Sequence, residues 1–337
     1  MSLKNVFERY LPLIEAELRE VLATPHPQLT SFYGMMQYHL GWVDEEFAPT
    51  KGGAGKRLRP ILCLLTCQAT GGDHEQALPA AAAIELVHNF SLVHDDIEDN
   101  SPLRRGRPTV WKVWGVPQAI NVGDGLFALA HLAMRRLADR GVRPRRVLTA
   151  LEILDQACLA LTEGQHLDLS FEARLDVDVD EYLSMVRGKT AALFSAAAQL
   201  GALVVGSDPE STARYRRFGE NLGLAFQIVD DILGIWGDPQ VTGKPAADDI
   251  QQHKKTLPIV RTLGKDLREI YQREVIDEEA VEAALRILEN LGARHYAEAM
   301  ANDYYQQALA ELDATGVKNE AQDALRELAA FLVERTY

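Results

Sequence analysis

The sequence contains few cysteines and few basic residues. Only three of its 337 residues are cysteine, namely Cys63, Cys67 and Cys158. Such an odd, sparse set excludes a disulfide framework and indicates a reducing, cytoplasmic compartment. Lys and Arg total 35 against 49 Asp and Glu, a formal charge of −14. This balance excludes a general attraction to nucleic acid or anionic lipid, so any bound anion must be held locally.

Long apolar runs are also missing. The most apolar stretch, Ala191 to Val205, contains Gln199 and is shorter than the roughly 20 residues that span a bilayer. We expect it to be an interior helix, and we expect neither a transmembrane segment nor a secretory signal peptide. Strict alternation of apolar and polar residues is rare, whereas a period near 3.6 residues recurs along the chain. With no Ser/Gly linker to mark a boundary, the pattern predicts one all-α domain over residues 1–337.

A cluster of carboxylates ends one of the predicted apolar helices. Asp95, Asp96 and Asp99 share a helical face, where their like charges repel unless a cation neutralises them. Such oxygen ligands suit Mg²⁺, and the following Arg104 and Arg105 are suited to phosphate oxygens. An acidic run is more often a solvated helix face. The apolar segment before it and the basic block after it favour a metal-bridged polyphosphate.

Similar polar groups recur along the chain, and they comprise an acidic pair, basic pairs and isolated lysines. These groups are Asp230/Asp231, Lys56/Arg57, Lys189, Lys244 and Lys254/Lys255. A single lysine is typically a surface residue, but these lie in or beside glycine-containing turns near the acidic motifs. Two acidic helix ends facing across a bundle would hold several divalent ions against one diphosphate.

Taken in order, the motifs resemble those of the trans-isoprenyl diphosphate synthases. The matching residues are Gly55–Pro60, Asp95–Asp99, Ser101–Thr109, Gly164-Gln165 with Asp168, Lys189-Thr190, Phe226-Gln227 with Asp230-Asp231, Gly243–Pro245 and Lys254–Pro258. The resemblance implies an all-α bundle around a deep apolar cavity, usually a homodimer. It also implies Mg²⁺-dependent condensation of isopentenyl diphosphate with an allylic diphosphate.

The resemblance assigns roles to particular residues. Mg²⁺ ligands would be Asp95, Asp99 and Asp230, with Asp96 and Asp231 supporting them. The allylic diphosphate would be held by Arg104, Lys189, Lys244 and Lys254. Isopentenyl diphosphate would be held by Gly55, Lys56, Arg57, His88 and Arg105. Thr190 and Gln227 would lie near the developing carbocation.

The second acidic motif departs from the family pattern. Gly234 stands where a third aspartate is common, and Ala247 stands where glycine is frequent. The loss at Gly234 puts the third carboxylate in doubt. Asp238 is a candidate replacement, although a loop or surface acid is an equally good interpretation of it.

Product length in this family depends on side chains before the first acidic motif. Here Phe90 stands five positions before Asp95 and Ser91 four positions before it. This large–small pair resembles the geranylgeranyl (C20) pattern. An ideal helix points Phe90 away from the carboxylates, so the prediction depends on the resemblance, and an ordinary core aromatic is the alternative.

Other functions remain open on the same motifs. The chain could be a farnesyl or longer-chain synthase, a class I terpene cyclase or a catalytically silent partner subunit. A cyclase needs no second diphosphate site, so Lys56, Arg57 and Arg105 favour the synthase. A silent subunit would more typically have lost part of the first acidic motif.

Overall fold

The computed structural model describes residues 2–50, 55–238 and 247–334. These residues are mainly helical, so the all-α prediction is confirmed. The α-helices are α1 (Leu3–Val21), α2 (Thr30–His39), α3 (Leu58–Ala69), α4 (His74–Glu98), α5 (Val110–Trp114), α6 (Val116–Arg135), α7 (Pro144–Glu172), α8 (Val179–Val186), α9 (Ala192–Val205), α10 (Pro209–Trp236), α11 (Asp248–Gln251), α12 (Leu257–Thr262), α13 (Lys265–Tyr271), α14 (Glu278–Asn290), α15 (Ala293–Ala314) and α16 (Glu320–Val333). Short 3₁₀ turns lie at Pro27–Leu29 and Arg136–Ala138.

The chain divides into two compact units. Unit 1 comprises the described residues of Met1–Asp155, Ala197–Thr212 and Asn319–Ala324. Unit 2 comprises those of Gln156–Ala196, Ala213–Lys318 and Leu325–Tyr337. Both units draw on segments far apart in the sequence. The expectation of a single domain therefore stays a prediction.

Helix α4 is the main element of unit 1. Its N-cap, Asp73, accepts a hydrogen bond from the Glu75 N–H at 3.0 Å, and this satisfies one of the free donors of the first turn. The helix packs on α3 and α6. A Cβ at Gly123 of α6 would lie 2.1 Å from Nε2 of His94, so only glycine permits this approach. Close packing on α6 therefore fixes the end of α4 that carries the acidic motif.

A β-hairpin follows α4 and turns the chain back. Strands β1 (Leu103–Arg104) and β2 (Arg107–Pro108) are antiparallel. Arg105 and Gly106 both have positive φ, 53° and 74°, as a two-residue type I′ turn requires. The turn brings Arg104 back to the carboxylates of α4.

A π-helical turn, Arg187–Ala191, separates α8 from α9 in unit 2. The apolar periodicity of residues 181–205 predicts one helix, and the helix is continuous over Val179–Val205 with the π turn inside it. A Cβ at Gly164 of α7 would lie 2.1 Å from the Lys189 backbone N, and one at Gly188 would lie 2.5 Å from Ala160 O. The two glycines thus allow α7 to contact the π turn backbone to backbone. Extra turns of this kind occur frequently at functional sites.

The predicted interior helix lies within one continuous helical stretch. Among the described residues, Val179–Val205 is long and apolar enough to cross a membrane by length and composition. Its most apolar window is 61% buried, which is the pattern of a core helix. In unit 2, Phe171, Tyr182 and Ile228 belong to a buried apolar cluster that includes Val186 at the end of α8. Cys63, Cys67 and Cys158 are all buried, and no disulfide joins any two of them.

Candidate active site

The first acidic motif is held by Arg104 of the hairpin. The Arg104 Nη2 donates to Asp95 Oδ2 at 3.0 Å, and its Nε donates to Asp96 Oδ1 at 2.7 Å. Asp96 is only 1% exposed, and this burial raises its pKa to about 6, against the opposing effect of Arg104. Asp95 and Asp99 are half-buried, and Asp99 caps the C-terminus of α4. One arginine therefore offsets the repulsion that the sequence predicted.

The acidic end of α4 is compatible with a hydrated divalent cation. No three His, Cys, Asp or Glu side chains of residues 2–50, 55–238 and 247–334 form a ready-made metal cluster. Mg²⁺ does not require one, because it usually keeps several waters and takes only one or two carboxylates. In the described part of the chain, the buried Oδ2 of Asp96 accepts no hydrogen bond. This orphaned acceptor fits a metal-bound water.

A basic cluster lies in the same unit. A Cβ at Gly55 would be 2.9 Å from Nη2 of Arg105, so these two residues are close neighbours. His88 Nε2 lies 3.4 Å from Nη1 of Arg59. Burial lowers the pKa of His88 well below its usual value, and Arg59, Arg105 and Arg104 lower it further, so the imidazole is neutral. The cluster therefore contains the predicted Gly55, His88 and Arg105, together with Arg59.

Arg57 has a different role from the one predicted. Its side chain is fully enclosed, with Nε donating to Glu15 and Nη1 to Glu85, both at 2.8 Å. Its Nη2 donates to Leu40 O at 3.3 Å. Burial acts to lower the Arg57 pKa, but Glu85 and Glu15 outweigh it, so the pKa is raised. Arg57 is thus a structural cation, which corrects the expectation that it contacts isopentenyl diphosphate.

Arg59 is the neighbouring residue that the sequence analysis missed. It lies in the same Gly55–Pro60 motif and in the first turn of α3, half-buried beside His88. The signal that could have found it is Glu85, an acid inside the apolar run of α4. A buried glutamate needs a cationic partner, and assigning Arg57 to it would have left Arg59 for the substrate. Lys56 is exposed, as a substrate contact requires.

One cleft of unit 1 joins the acidic and basic groups. Its lining residues are Tyr38, His39, Asp96, Arg104, Arg105, Arg107, Pro108, Thr109 and Val110. A carboxylate suited to a cation thus opens onto the same space as arginines suited to phosphate. The cleft therefore brings a buried carboxylate and two guanidinium groups to one opening.

The predicted residues of unit 2 form linked polar contacts. Lys189 Nζ, on the π turn, lies 2.5 Å from Asp168 Oδ2. Thr190 Oγ1 donates to Gln227 Oε1 at 2.8 Å, and Gln227 Nε2 donates to Asp231 Oδ1 at 3.0 Å. The π turn therefore presents Lys189 and Thr190 next to each other, with each side chain fixed by a neighbouring helix.

The second acidic pair divides into one buried and one exposed carboxylate. Asp231 is 5% exposed, and its Oδ2 accepts from Tyr182 Oη at 2.6 Å and from Leu257 N at 2.9 Å. Burial raises the pKa of Asp231 to about 7, although these hydrogen bonds act to lower it. Asp230 is exposed. Asp231 therefore ties α10 to α8 and α12, and Asp230 is the accessible carboxylate of the pair.

The remaining predicted residues follow α10 in the sequence. Lys254 is half-buried, and its N–H donates to Asp249 O at 2.9 Å. Ala247 has a positive φ of 56°, which explains why glycine is frequent at that position in the family. Lys244 lies outside the described residues.

Phe90 lies on the face of α4 that packs against α6. Its ring is 7% exposed and lies 5.3 Å from the ring of Phe127, in an edge-to-face arrangement. The ring of His94 is 5.6 Å away on the same helix. Ser91 turns its hydroxyl onto His88 O at 2.8 Å. The Phe90 ring is thus packed between the rings of Phe127 and His94, and its small neighbour in the sequence is Ser91.

Comparison with known proteins identifies the family. The model of the family described as polyprenyl synthetase matches residues 42–288. The chain belongs to the polyprenyl synthetase family. This polyprenyl synthetase is 43% identical to a geranylgeranyl diphosphate synthase of Mycobacterium tuberculosis over 302 residues, covering 88% of this chain and 82% of that one. It is 37% identical to a (2E,6E)-farnesyl diphosphate synthase of Mycobacterium bovis over 333 residues, covering 96% and 90%.

A solved structure supports the same assignment. The polyprenyl synthetase of Streptomyces coelicolor A3(2) matches with a TM-score of 0.90 and 37% identity, covering 98% of this chain and 100% of that one. The present chain is therefore a prenyltransferase that makes linear trans-prenyl diphosphates. The substrates of such synthases are isopentenyl and allylic diphosphates, and the family is generally magnesium-dependent.

Proposed function

We propose that this polyprenyl synthetase uses Mg²⁺ to extend an allylic diphosphate with isopentenyl diphosphate, ending at C20 geranylgeranyl diphosphate. The observation that carries the proposal is the cleft of unit 1, where Asp96 lies beside Arg104 and Arg105. The relative named geranylgeranyl diphosphate synthase supports the C20 product. The runner-up is a farnesyl or longer-chain product.

Metal and allylic diphosphate share one set of residues in this proposal. Asp95, Asp99 and Asp230 hold Mg²⁺, while the buried Asp96 and Asp231 keep the accessible carboxylates in place. Bound Mg²⁺ supplies Lewis-acid stabilisation of the charge that develops on the departing diphosphate. The cations that hold the same diphosphate are Arg104, Lys189, Lys244 and Lys254. Fixed cations of this kind stabilise developing charge without reorganisation.

Isopentenyl diphosphate is held by the basic cluster. Gly55, Lys56, His88 and Arg105 contact it, and Arg59 replaces Arg57 in this set. The neutral His88 donates a hydrogen bond without adding charge. Gly55 lets the Arg105 guanidinium approach the backbone closely, since a Cβ there would lie 2.9 Å from its Nη2. The second diphosphate therefore binds through groups separate from the acidic motif, as a synthase needs and a cyclase does not.

The carbocation is stabilised by oxygen atoms with fixed orientations. The allylic C–O bond breaks, the isopentenyl double bond attacks to form a C–C bond, and a proton passes to the released diphosphate. The Thr190 hydroxyl donates a hydrogen bond to Gln227 Oε1. The lone pairs of Thr190 Oγ1 therefore remain available to face positive charge. Gln227 is itself fixed by Asp231. These neutral groups stabilise the cation, and they do not attack it as nucleophiles.

The proposal includes a cytoplasmic homodimer. Val116, Ile120 and Phe127 of α6 are 40%, 44% and 38% exposed. They lie four and seven residues apart, so they form one apolar stripe on the helix. A second copy of the chain would cover such a stripe.

Phe90→Ala is expected to lengthen the product beyond C20. Removing the ring opens the space between α4 and α6 that Phe90 and Phe127 now fill. Liquid chromatography with mass spectrometry of the prenyl products measures the change. Phe218→Ala is the control, because it removes another buried phenylalanine, 12 positions before Asp230. The control should lose stability and keep the product. An unchanged product from Phe90→Ala contradicts the assignment.

One incubation separates the proposed function from its alternatives. Purified protein is mixed with Mg²⁺, isopentenyl diphosphate and farnesyl diphosphate, and the products are extracted. A longer linear diphosphate supports the synthase. A hydrocarbon or terpene alcohol formed from farnesyl diphosphate alone indicates a cyclase, and absence of turnover indicates a silent subunit. Either of the last two results contradicts the proposal.

A further inference from the structure

Lys255 is a buried lysine in the segment that joins α11 to α12 in unit 2. Only 5% of this residue is exposed. Its Nζ donates to Glu172 O at 3.2 Å and to His253 O at 3.1 Å. Burial lowers the pKa of Lys255, against the opposing effect of the Glu172 charge. Because a buried ammonium is costly unless it is hydrogen-bonded, these two carbonyl contacts offset its burial.

One of the two carbonyls lies at the C-terminal end of α7, of which Glu172 is the last residue. The last carbonyls of a helix have no partner within the helix, and the negative end of the helix dipole attracts a cation. Asp168 lies four residues, or about one helical turn, earlier on α7, and it pairs with Lys189 of the π turn. Lys255 thus binds the helix end that carries the partner of Lys189.

Tyr271, the last residue of α13, contacts three consecutive residues of the Lys255 segment. Its Oη donates to Lys254 O at 3.3 Å. The centre of its ring lies 5.0 Å from Lys255 Nζ and 5.9 Å from the centre of the His253 ring. His253 has a positive φ of 56°, and Tyr271 is 5% exposed. Contacts with α7 and α13 therefore fix the backbone on both sides of Lys254.

We propose that Lys255 is a positioning residue, which holds Lys254 and Lys189 at a fixed separation for binding of the allylic diphosphate. Its ammonium joins the carbonyl that precedes Lys254 to the end of α7, where Asp168 holds Lys189. Lys255 itself contacts no substrate, because its ammonium is turned into the protein. The inference rests on the proposed function, since it takes an allylic diphosphate as the ligand.

The variant Lys255→Met removes the ammonium and keeps an unbranched side chain. Lys254 should then shift relative to Lys189 and bind the allylic diphosphate less well. We expect the Kd for farnesyl diphosphate to rise by about 10- to 100-fold, the range for one lost hydrogen bond to a charged group. The Kd for isopentenyl diphosphate should stay unchanged, because its proposed ligands lie in unit 1.

Isothermal titration calorimetry in the presence of Mg²⁺ measures the two affinities, with each diphosphate added alone so that no condensation occurs. Lys265→Met is the matched control, because it removes an exposed lysine at the start of α13. The control should leave both affinities unchanged. Tyr271→Phe removes the hydroxyl that contacts Lys254 O and keeps the ring, so it should raise the Kd for farnesyl diphosphate by a smaller factor.

A purely structural role for Lys255 gives a different result, because general loosening of the fold affects both diphosphates alike. The proposal is overturned if Lys255→Met binds farnesyl diphosphate normally, or if its affinities for the two diphosphates fall equally. Should Lys255→Met fail to fold, Tyr271→Phe decides, and an unchanged Kd for farnesyl diphosphate in that variant overturns the proposal. If the wild type binds farnesyl diphosphate but makes no prenyl diphosphate, only the proposed function fails, and the Kd values still test Lys255.

Discussion

Replacing Asp95 with alanine is expected to lower kcat by about 10²- to 10³-fold, the range seen when one electrostatic stabiliser of a transition state is removed. Asp95 is the accessible member of the pair that Arg104 holds, with a side chain 19% exposed. Loss of the Asp95 carboxylate removes a proposed Mg²⁺ ligand, and that Mg²⁺ would stabilise the charge on the departing diphosphate. The fold should persist, because Arg104 keeps its 2.7 Å contact with Asp96.

Steady-state kinetics at saturating substrates, with circular dichroism to verify the fold, measure this effect. Glu98→Ala is the matched control, since it removes one negative charge from the same helix end at an exposed position. The control should retain normal turnover. Near-normal kcat in Asp95→Ala, or an equal loss in Glu98→Ala, would contradict the metal assignment.

Replacing Arg57 with alanine is expected to destabilise the protein by about 3–5 kcal/mol, because breaking a buried ion pair leaves an uncompensated charge. The charge left behind is Glu85, whose side chain is 3% exposed. Glu15, 24% exposed, also loses its partner but can be hydrated. The expected loss is a large part of the stability of a typical domain.

Urea unfolding of the whole protein reports this loss through the midpoint and the free energy of unfolding. Arg286→Ala is the control, because Arg286 and Glu282 form an i,i+4 pair with side chains 63% and 71% exposed. That pair should contribute below about 1 kcal/mol. If Arg57→Ala remained stable and instead raised the KM for isopentenyl diphosphate, Arg57 would be a substrate ligand after all.

The sequence predicts the helices of this protein well because their signals are local. Apolar periodicity predicts both α4 and α10, because Gly71 and Gly72 mark the start of α4 and Pro209 marks the start of α10. The π turn at Arg187–Ala191 has no such signal. It depends on contact between Gly164 and Gly188, residues 24 positions apart on separate helices.

Some residues of the candidate site are predicted from local motifs, whereas others are identified only by contacts with distant residues. Motif spacing points to Asp95, His88, Lys189 and Gln227, and the contacts of these residues agree with functional roles that stay proposals. Spacing cannot show which of two arginines turns inward, and Arg57 and Arg59 are distinguished only by the distant Glu15 and Glu85.

The carbon number of the final product tests the central proposal most directly. The protein is incubated with Mg²⁺, farnesyl diphosphate and excess isopentenyl diphosphate, and the products are followed over time by mass spectrometry. We predict that the C20 diphosphate accumulates and is not extended further. Failure to elongate farnesyl diphosphate, or progression of the C20 product to longer chains, would contradict the proposal.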